Sequence, residues 1–266
     1  MLFIVLVDDI QVSSYKILDQ LYSLTAPVES IQQRKQIKQE CEQHRPLLGS
    51  CLSAFSRCFP VAFLEPQFNL NNPFSVLAKF EETSVQAQDM LTTLSQNVPT
   101  LETLIARLDE LTQANAKYVD HPELFDIDLP LLSNYMTYWF SRGPEGSERM
   151  EREVTAVTSE QVNSVFTNLL RLVLDHLNSE NAAWLCRVAS SHTSVIMYIT
   201  KDLAPEHLLP ISEKLRISAE KCLKKEDFIK SHPDEMDEGT VAEEFAILVR
   251  DVYSFFPLLI KYADLH

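Results

Sequence analysis

The chain has 266 residues, 45% of them hydrophobic, and a formal net charge of −15. That length and hydrophobicity suit one large core or two smaller ones and exclude a disordered tail. The negative balance excludes a nucleic-acid surface for the chain as a whole, because such a surface needs clustered Lys and Arg to displace counterions.

Only four glycines occur, Gly49, Gly143, Gly146 and Gly239. Hairpin turns and bulges draw on glycine, so their scarcity predicts an all-α fold. The opening "MLFIVLV" has no basic leader and no small-residue cleavage site, and Asp8 and Asp9 end it, so it does not read as a signal peptide. No run approaches the ~20 apolar residues of a membrane span. The expectation is a soluble segment that makes no membrane contact itself.

Apolar residues then recur at helical spacing. Tyr15, Leu18, Leu21 and Tyr22 make a first face, and Leu47, Leu48, Cys51, Leu52, Phe55 and Phe59 a second. Between them "SIQQRKQIKQECEQHR" (30–45) reads as a polar, exposed helix. The stretch "PVAFLEPQFNLNNPFSV" (60–76) carries prolines at 60, 66 and 73, which forbid a long helix. Pro60 stops the preceding helix, and Val61, Phe63, Leu64 and Phe68 form an apolar connector that turns the chain without leaving the core.

Pro99 and Thr100 are placed to start a helix lined by Leu101, Leu104, Leu108 and Leu111. "HPELFDIDLPLLSNYMTYWF" (121–140) is apolar on more than one side and is predicted to be central. "SRGPEGSERMEREV" (141–154) holds two of the glycines and a charge run, the best internal boundary. The predicted organisation is a first helical half over 1–140, a linker over 141–157 and a second helical half over 158–266.

Thr158 and Gln161 form a capping box ahead of Val162, Val165, Phe166, Leu169, Leu170, Val173 and Leu177, a helix about 30 Å long. Asn181 is read as the cap of a helix carrying Trp184, Leu185, Val188 and Ile196. A further helix spans about 205–230. After the acidic "SHPDEMDEG", Thr240 and Glu243 are read as capping a last helix whose face is Phe245, Leu248, Val252, Phe255, Phe256 and Leu259. About eight helices result. Pro-Leu-Leu-x-x-Tyr recurs at 130–135 and 257–262, with "PLLGSC" (46–51) a fainter third, as degenerate helical hairpins would give.

Chemistry-bearing patterns are sparse. The histidines at 44, 121, 176, 192, 207, 232 and 266 show no metal-ligand spacing and read as solvated or capping. Cys41, Cys51, Cys58, Cys186 and Cys222 are odd in number, without a C-x-x-C pair, and read as reduced, part-buried thiols. "DEMDEG" (234–239) departs from a calcium loop because Met236 stands where an oxygen ligand is needed. No Gly-rich phosphate loop and no G-x-S-x-G elbow occurs. Glu65 reads as a helix-end or exposed acid, Trp139 with Tyr138 and Phe140 as a core anchor, and the basic patches at 34–38 and 221–225 as solvated helix faces. No catalytic residue, cofactor or metal ligand is assigned.

Five stretches together resemble the ryanodine receptors, the intracellular calcium-release channels. They are "VDDIQVSSYKILDQLYSL" (7–24), "FPVAFLEPQFN" (59–69), "HPELFDIDLPLLSNYMTYWFSRGPE" (121–145), "TAVTSEQVNSVFTNLLRLVLDHL" (155–177) and "EFAILVRDVYSFFPLLIKYAD" (244–264). They follow the family's order along nearly the whole chain. The polar stretch 30–43 looks longer than the family's linker, Ser141 follows Trp139 and Phe140 ahead of "RGPE", and 70–98 fits poorly.

The resemblance implies an α-solenoid with armadillo- or HEAT-like stacking, from the cytoplasmic part of a homotetrameric channel at the sarcoplasmic or endoplasmic reticulum. Its partners would be neighbouring domains of the same large chain. The pore helices, selectivity filter, nucleotide and calcium sites and calmodulin-binding segment of the family have no counterpart here. The alternative is a free-standing α-solenoid adaptor with a groove for peptides. "MLFIVLV" and "FFPLLIKY" as exposed apolar end surfaces would favour a segment cut from a longer solenoid. An enzyme would need an acid and a histidine converging in a pocket.

Overall fold

A computed structural model describes residues 13–14, 16–21, 23–24, 43–54, 84–141, 145, 157–188, 204–232 and 238–265. Among the described residues every regular element is helical and no strand occurs. In order they include α1 (Val85–Asn97), α2 (Leu101–Gln113), a π turn (Leu124–Asp128) leading into α3 (Leu129–Ser141), α4 (Ser159–His176), a second π turn (Ala204–Leu208) leading into α5 (Leu209–Ser231), and α6 (Glu238–Leu265). Residues 13–24, 43–54 and 184–188 are also helical where described.

The chain divides into two compact units, Met1–Leu108 with Glu123–Val162 and Asp109–Pro122 with Asn163–His266. The linker expected at 141–157 lies outside the described residues apart from Ser141, Glu145 and Val157. So do the connector 60–76, Glu65 and most of the polar stretch 30–45.

In the first unit, Leu101, Leu104 and Leu108 of α2 are buried as their spacing requires, together with Leu91 and Leu94 of α1. The Thr103 backbone N–H donates to Thr100 Oγ1 at 3.1 Å, so Thr100 caps α2. The stretch 124–133 is buried throughout, which makes it the central segment its composition demanded.

Pro130 explains the π turn. A proline lacks the N–H that would serve the carbonyl four residues back, and its ring crowds that carbonyl. Widening the preceding turn relieves both effects: Leu129 N–H donates to Leu124 O, five residues back. The same solution precedes Pro210, which follows the π turn Ala204–Leu208 at the start of α5. Pro257, by contrast, stands inside the 28-residue α6. The two Pro-Leu-Leu-x-x-Tyr copies therefore occupy different structural positions.

In the second unit, α4 buries Val165, Phe166, Leu169, Leu170, Leu172 and Val173. Each such side chain contributes about 1.5–3 kcal/mol of transfer free energy. The capping box at the start of α4 is complete: Thr158 N–H donates to Gln161 Oε1 at 3.1 Å and Gln161 N–H to Thr158 Oγ1 at 3.3 Å.

Helix ends use asparagine where glycine is scarce. Asn115 and Asn178 take left-handed φ of 56° and 67° just past α2 and α4.

Four expectations are corrected. The helix over 43–54 buries Gly49, Leu52 and Ser53 and exposes Leu47 and Cys51, so its packed side is rotated from the one read in the sequence. α6 begins at Glu238, which puts Thr240 inside the helix and not at its cap. Helical residues after Asn181 begin only at 184, so Asn181 does not cap them. On α6 the packed residues are Leu248, Asp251, Ser254, Phe255 and Leu258, while Phe245 and Phe256 are 55% and 54% exposed. α6 is apolar on two sides, and periodicity alone does not say which side is covered.

Candidate functional site

Some of the buried polar residues gather at two joints, one in each unit: Ser53, Asp126 and Asp128 at one, His176 and Asp251 at the other. Both arise where a helix ends or changes pitch, because such places leave backbone carbonyls and amides without helical partners.

The joint of the second unit lies at the C-terminus of α4. His176 Nδ1 donates to Leu172 O at 2.8 Å, and Lys214 Nζ of α5 donates to Leu174 O at 2.6 Å. These are last-turn carbonyls, and a cation there also complements the helix dipole. Asn178 turns the chain, and its backbone N–H donates to Asp251 Oδ2 at 2.7 Å.

Asp251, fully buried on α6, also accepts from Arg250 Nε at 2.9 Å and Nη2 at 2.6 Å through Oδ1. Arg250 Nη2 donates in addition to Ser179 O at 2.9 Å and Nη1 to Glu180 O at 3.4 Å. One buried carboxylate and one guanidinium thus tie the loop after α4 to α6. The His176 ring stands edge-on to the buried Trp184, centroids 5.5 Å apart. Burial lowers the pKa of His176 and of Lys214.

The joint of the first unit surrounds the π turn Leu124–Asp128. Arg107 of α2 pairs with Glu123 at 3.0 Å and with Asp128 at 3.3 Å. The Asp128 Oδ2 contact is an ion pair without hydrogen-bond alignment. Burial pushes the Asp128 carboxyl from 3.8 up to about 6, against the pull of Arg107 and with the help of Glu123.

The helix over 43–54 meets this turn at Gly49. A Cβ there would lie 1.8 Å from the carbonyl oxygen of Asp126, the very carbonyl whose α-helical donor Pro130 removes. Ser53 Oγ donates to Pro130 O at 3.3 Å.

At these joints the acids Asp128 and Asp251 are paired with arginine and His176 is engaged with a carbonyl. Each joint ties neighbouring helices together through buried polar contacts.

The other residues singled out in the sequence fall as follows. Among the described histidines, His44 and His232 are exposed, the latter stacked on Phe228 at 4.6 Å, whereas His176 and His207 are buried. The reading of all of them as solvated or capping fails for His207, whose burial lowers its pKa.

Cys51 and Cys186 are exposed and Cys222 half-buried, all as free thiols, so the part-buried reading holds for Cys222 alone among these three. Of the aromatic trio only the Phe140 side chain is described, and it is buried. Residues 234–237 of "DEMDEG" lie outside the described residues. In the 221–225 patch Lys225 pairs with Glu244, beside a cavity of about 300 Å³ that Asn178, Lys221 and Cys222 help to line.

Asp251, Asp128 and Gly49 carry the joints and were not singled out in the sequence. The only signal for them was an acid or a glycine at an otherwise apolar, core-facing helical position. Among the described residues no group of His, Cys, Asp and Glu is arranged to hold a metal ion, and no helix is long and apolar enough to cross a membrane. No protein-family model matches the chain.

Proposed function

We propose that this chain is a non-catalytic scaffold segment of a ryanodine-receptor-like calcium-release channel, an α-solenoid of degenerate helical hairpins that couples peripheral domains to the pore. The reading places it on the cytosolic face of the sarcoplasmic or endoplasmic reticulum, within a homotetramer, with neighbouring domains of the same long chain as its partners. It assigns no catalytic residue, cofactor or metal.

The observation that carries it is the resemblance of five stretches in the family's order along nearly the whole chain. Two features support a mechanical role. The Leu-Pro step after a π turn occurs at Pro130 and again at Pro210, as repeated helical-pair units would produce. The buried joints at Asp128 and Asp251 hold successive elements at set angles, which a lever that passes on displacement requires.

A second reading, a free-standing α-solenoid adaptor for partner peptides, draws on the exposed apolar side of α6. An antibody raised against residues 141–160 separates the two. Detection of a very large species in the membrane pellet is the expected result. A soluble species near 30.4 kDa would replace the channel reading by the adaptor.

A further inference from the structure

The cavity of about 300 Å³ in the second unit opens where α5 and α6 meet the turn after α4. That volume lies at the low end for small-molecule sites. Ile247 and Leu248 of α6 contribute apolar lining, and Asn178 of the turn and Lys221 of α5 contribute polar lining.

The charges at the cavity do not cancel. Lys225 and Glu244 also line it, and they form an ion pair with each other. Lys221 is left over, with no ion pair among the described residues. The positions three and four away from it, Ile217, Ser218, Lys224 and Lys225, hold no acid that could pair with it along the helix. Elsewhere on α5, Arg216 pairs with Glu213 and Glu220, Lys230 pairs with Glu226, and Lys214 donates to Leu174 O. Burial, and then Glu244, raises the pKa of the Cys222 thiol, which stays protonated at neutral pH and adds no charge. A single excess positive charge therefore stands at this cavity in a chain of net charge −15.

We propose that the cavity is a binding site for a small monocarboxylate with a short apolar body. Its carboxylate pairs with the Lys221 ammonium, and its body rests on Ile247 and Leu248. A monoanion matches the one excess charge, whereas a doubly charged phosphate would set a second negative charge against Glu244 with no cation left to balance it. Asn178 adds an amide donor: its backbone N–H is committed to Asp251, while its carboxamide forms no hydrogen bond among the described residues. The apolar body gains by leaving water for the aliphatic lining. An occupant touches α5, α6 and the turn that Asp251 holds, so it would fasten the joint of the second unit. This site goes beyond the scaffold reading and does not depend on it.

Alkylation of Cys222 by iodoacetamide, followed on the full chain by peptide mass spectrometry, reads occupancy at the cavity itself, with benzoate as the probe. About 10 mM benzoate is expected to slow alkylation of Cys222 about tenfold, as a Kd of about 1 mM gives. The exposed Cys51 and Cys186 are expected to react at unchanged rates. Benzamide keeps the ring and lacks the charge, and acetate keeps the charge and lacks the ring. These two and inorganic phosphate are each expected to slow Cys222 less than about twofold at the same concentration. Lys221→Gln is expected to cut benzoate protection below about twofold with circular dichroism unchanged, because Lys221 is exposed. Lys224→Gln, equally exposed and outside the lining, is expected to retain it.

A Cys222 that reacts equally fast with and without benzoate overturns the proposal. So does equal protection by benzamide, acetate or phosphate, and so does protection that survives Lys221→Gln. Protection lost in Lys224→Gln as well would mean that the general charge of α5, and not the cavity, attracts the anion, and overturns it equally.

Discussion

Gly49 shows how one hydrogen atom decides a contact. Its Cα passes so close to Asp126 O that any side chain collides with backbone, which a rotamer change cannot relieve. Gly49→Ala is expected to cost about 3 kcal/mol, read as a lower urea midpoint at unchanged slope.

Asp128 makes the opposite kind of prediction, one tied to pH. Its folded-state pKa of about 6 lies above the unfolded 3.8, so between these values the folded chain holds a proton that the unfolded chain has lost. Stability from this group is full below pH 3.8, falls as pH rises through the window, and is gone above about 6. The whole effect is on the order of 3 kcal/mol.

Asp128→Asn imitates the protonated acid and is expected to raise the melting temperature at pH 7.5 but not at pH 4. Comparing variant with parent isolates the group. The buried His176 and His207, whose lowered pKa values destabilise the fold as pH falls, contribute equally to both chains.

At the scale of elements, helix ends carry the design. The α4 terminus draws its caps from Lys214 on α5 and Asp251 on α6, so three helices depend on one joint. Asp251→Ala strands Arg250 and the Asn178 amide in a buried site and is expected to cost about 3–5 kcal/mol by thermal unfolding. Adding Arg250→Ala is expected to recover part of that loss, since the uncompensated buried charge leaves with it. Full additivity of the two losses would mean that the carboxylate and guanidinium are not coupled.

The starts of α2 and α4 were legible in the sequence because a cap is a matter of three or four consecutive residues. The start of α6 was not. Thr240 and Glu243 fit the same pattern, yet the helix already begins at Glu238, and nothing in the pattern prevents a helix from continuing N-terminally.

For the whole molecule, charge acts on the compact state. The chain carries a formal −15, and this excess of like charge repels itself more strongly when folded than when spread out. Raising salt from about 50 to 300 mM is expected to raise the urea midpoint, because screening removes that repulsion. A midpoint that falls steadily with salt would mean that ion pairs outweigh the self-repulsion.

What the sequence determined by itself was local: helices as the only regular elements among the described residues, the caps at Thr100 and Thr158, and the central burial of 124–133. Hydrogen bonds within a few residues and the 3.6-residue period are enough for these. What only the tertiary structure decided was which side of an apolar helix is covered, as on α6 and over 43–54. It also decided that Gly49 meets Asp126 and that Asp251 meets Asn178. These are partnerships across 73 or more residues, and they depend on where the neighbouring helix lies, which no local spacing encodes.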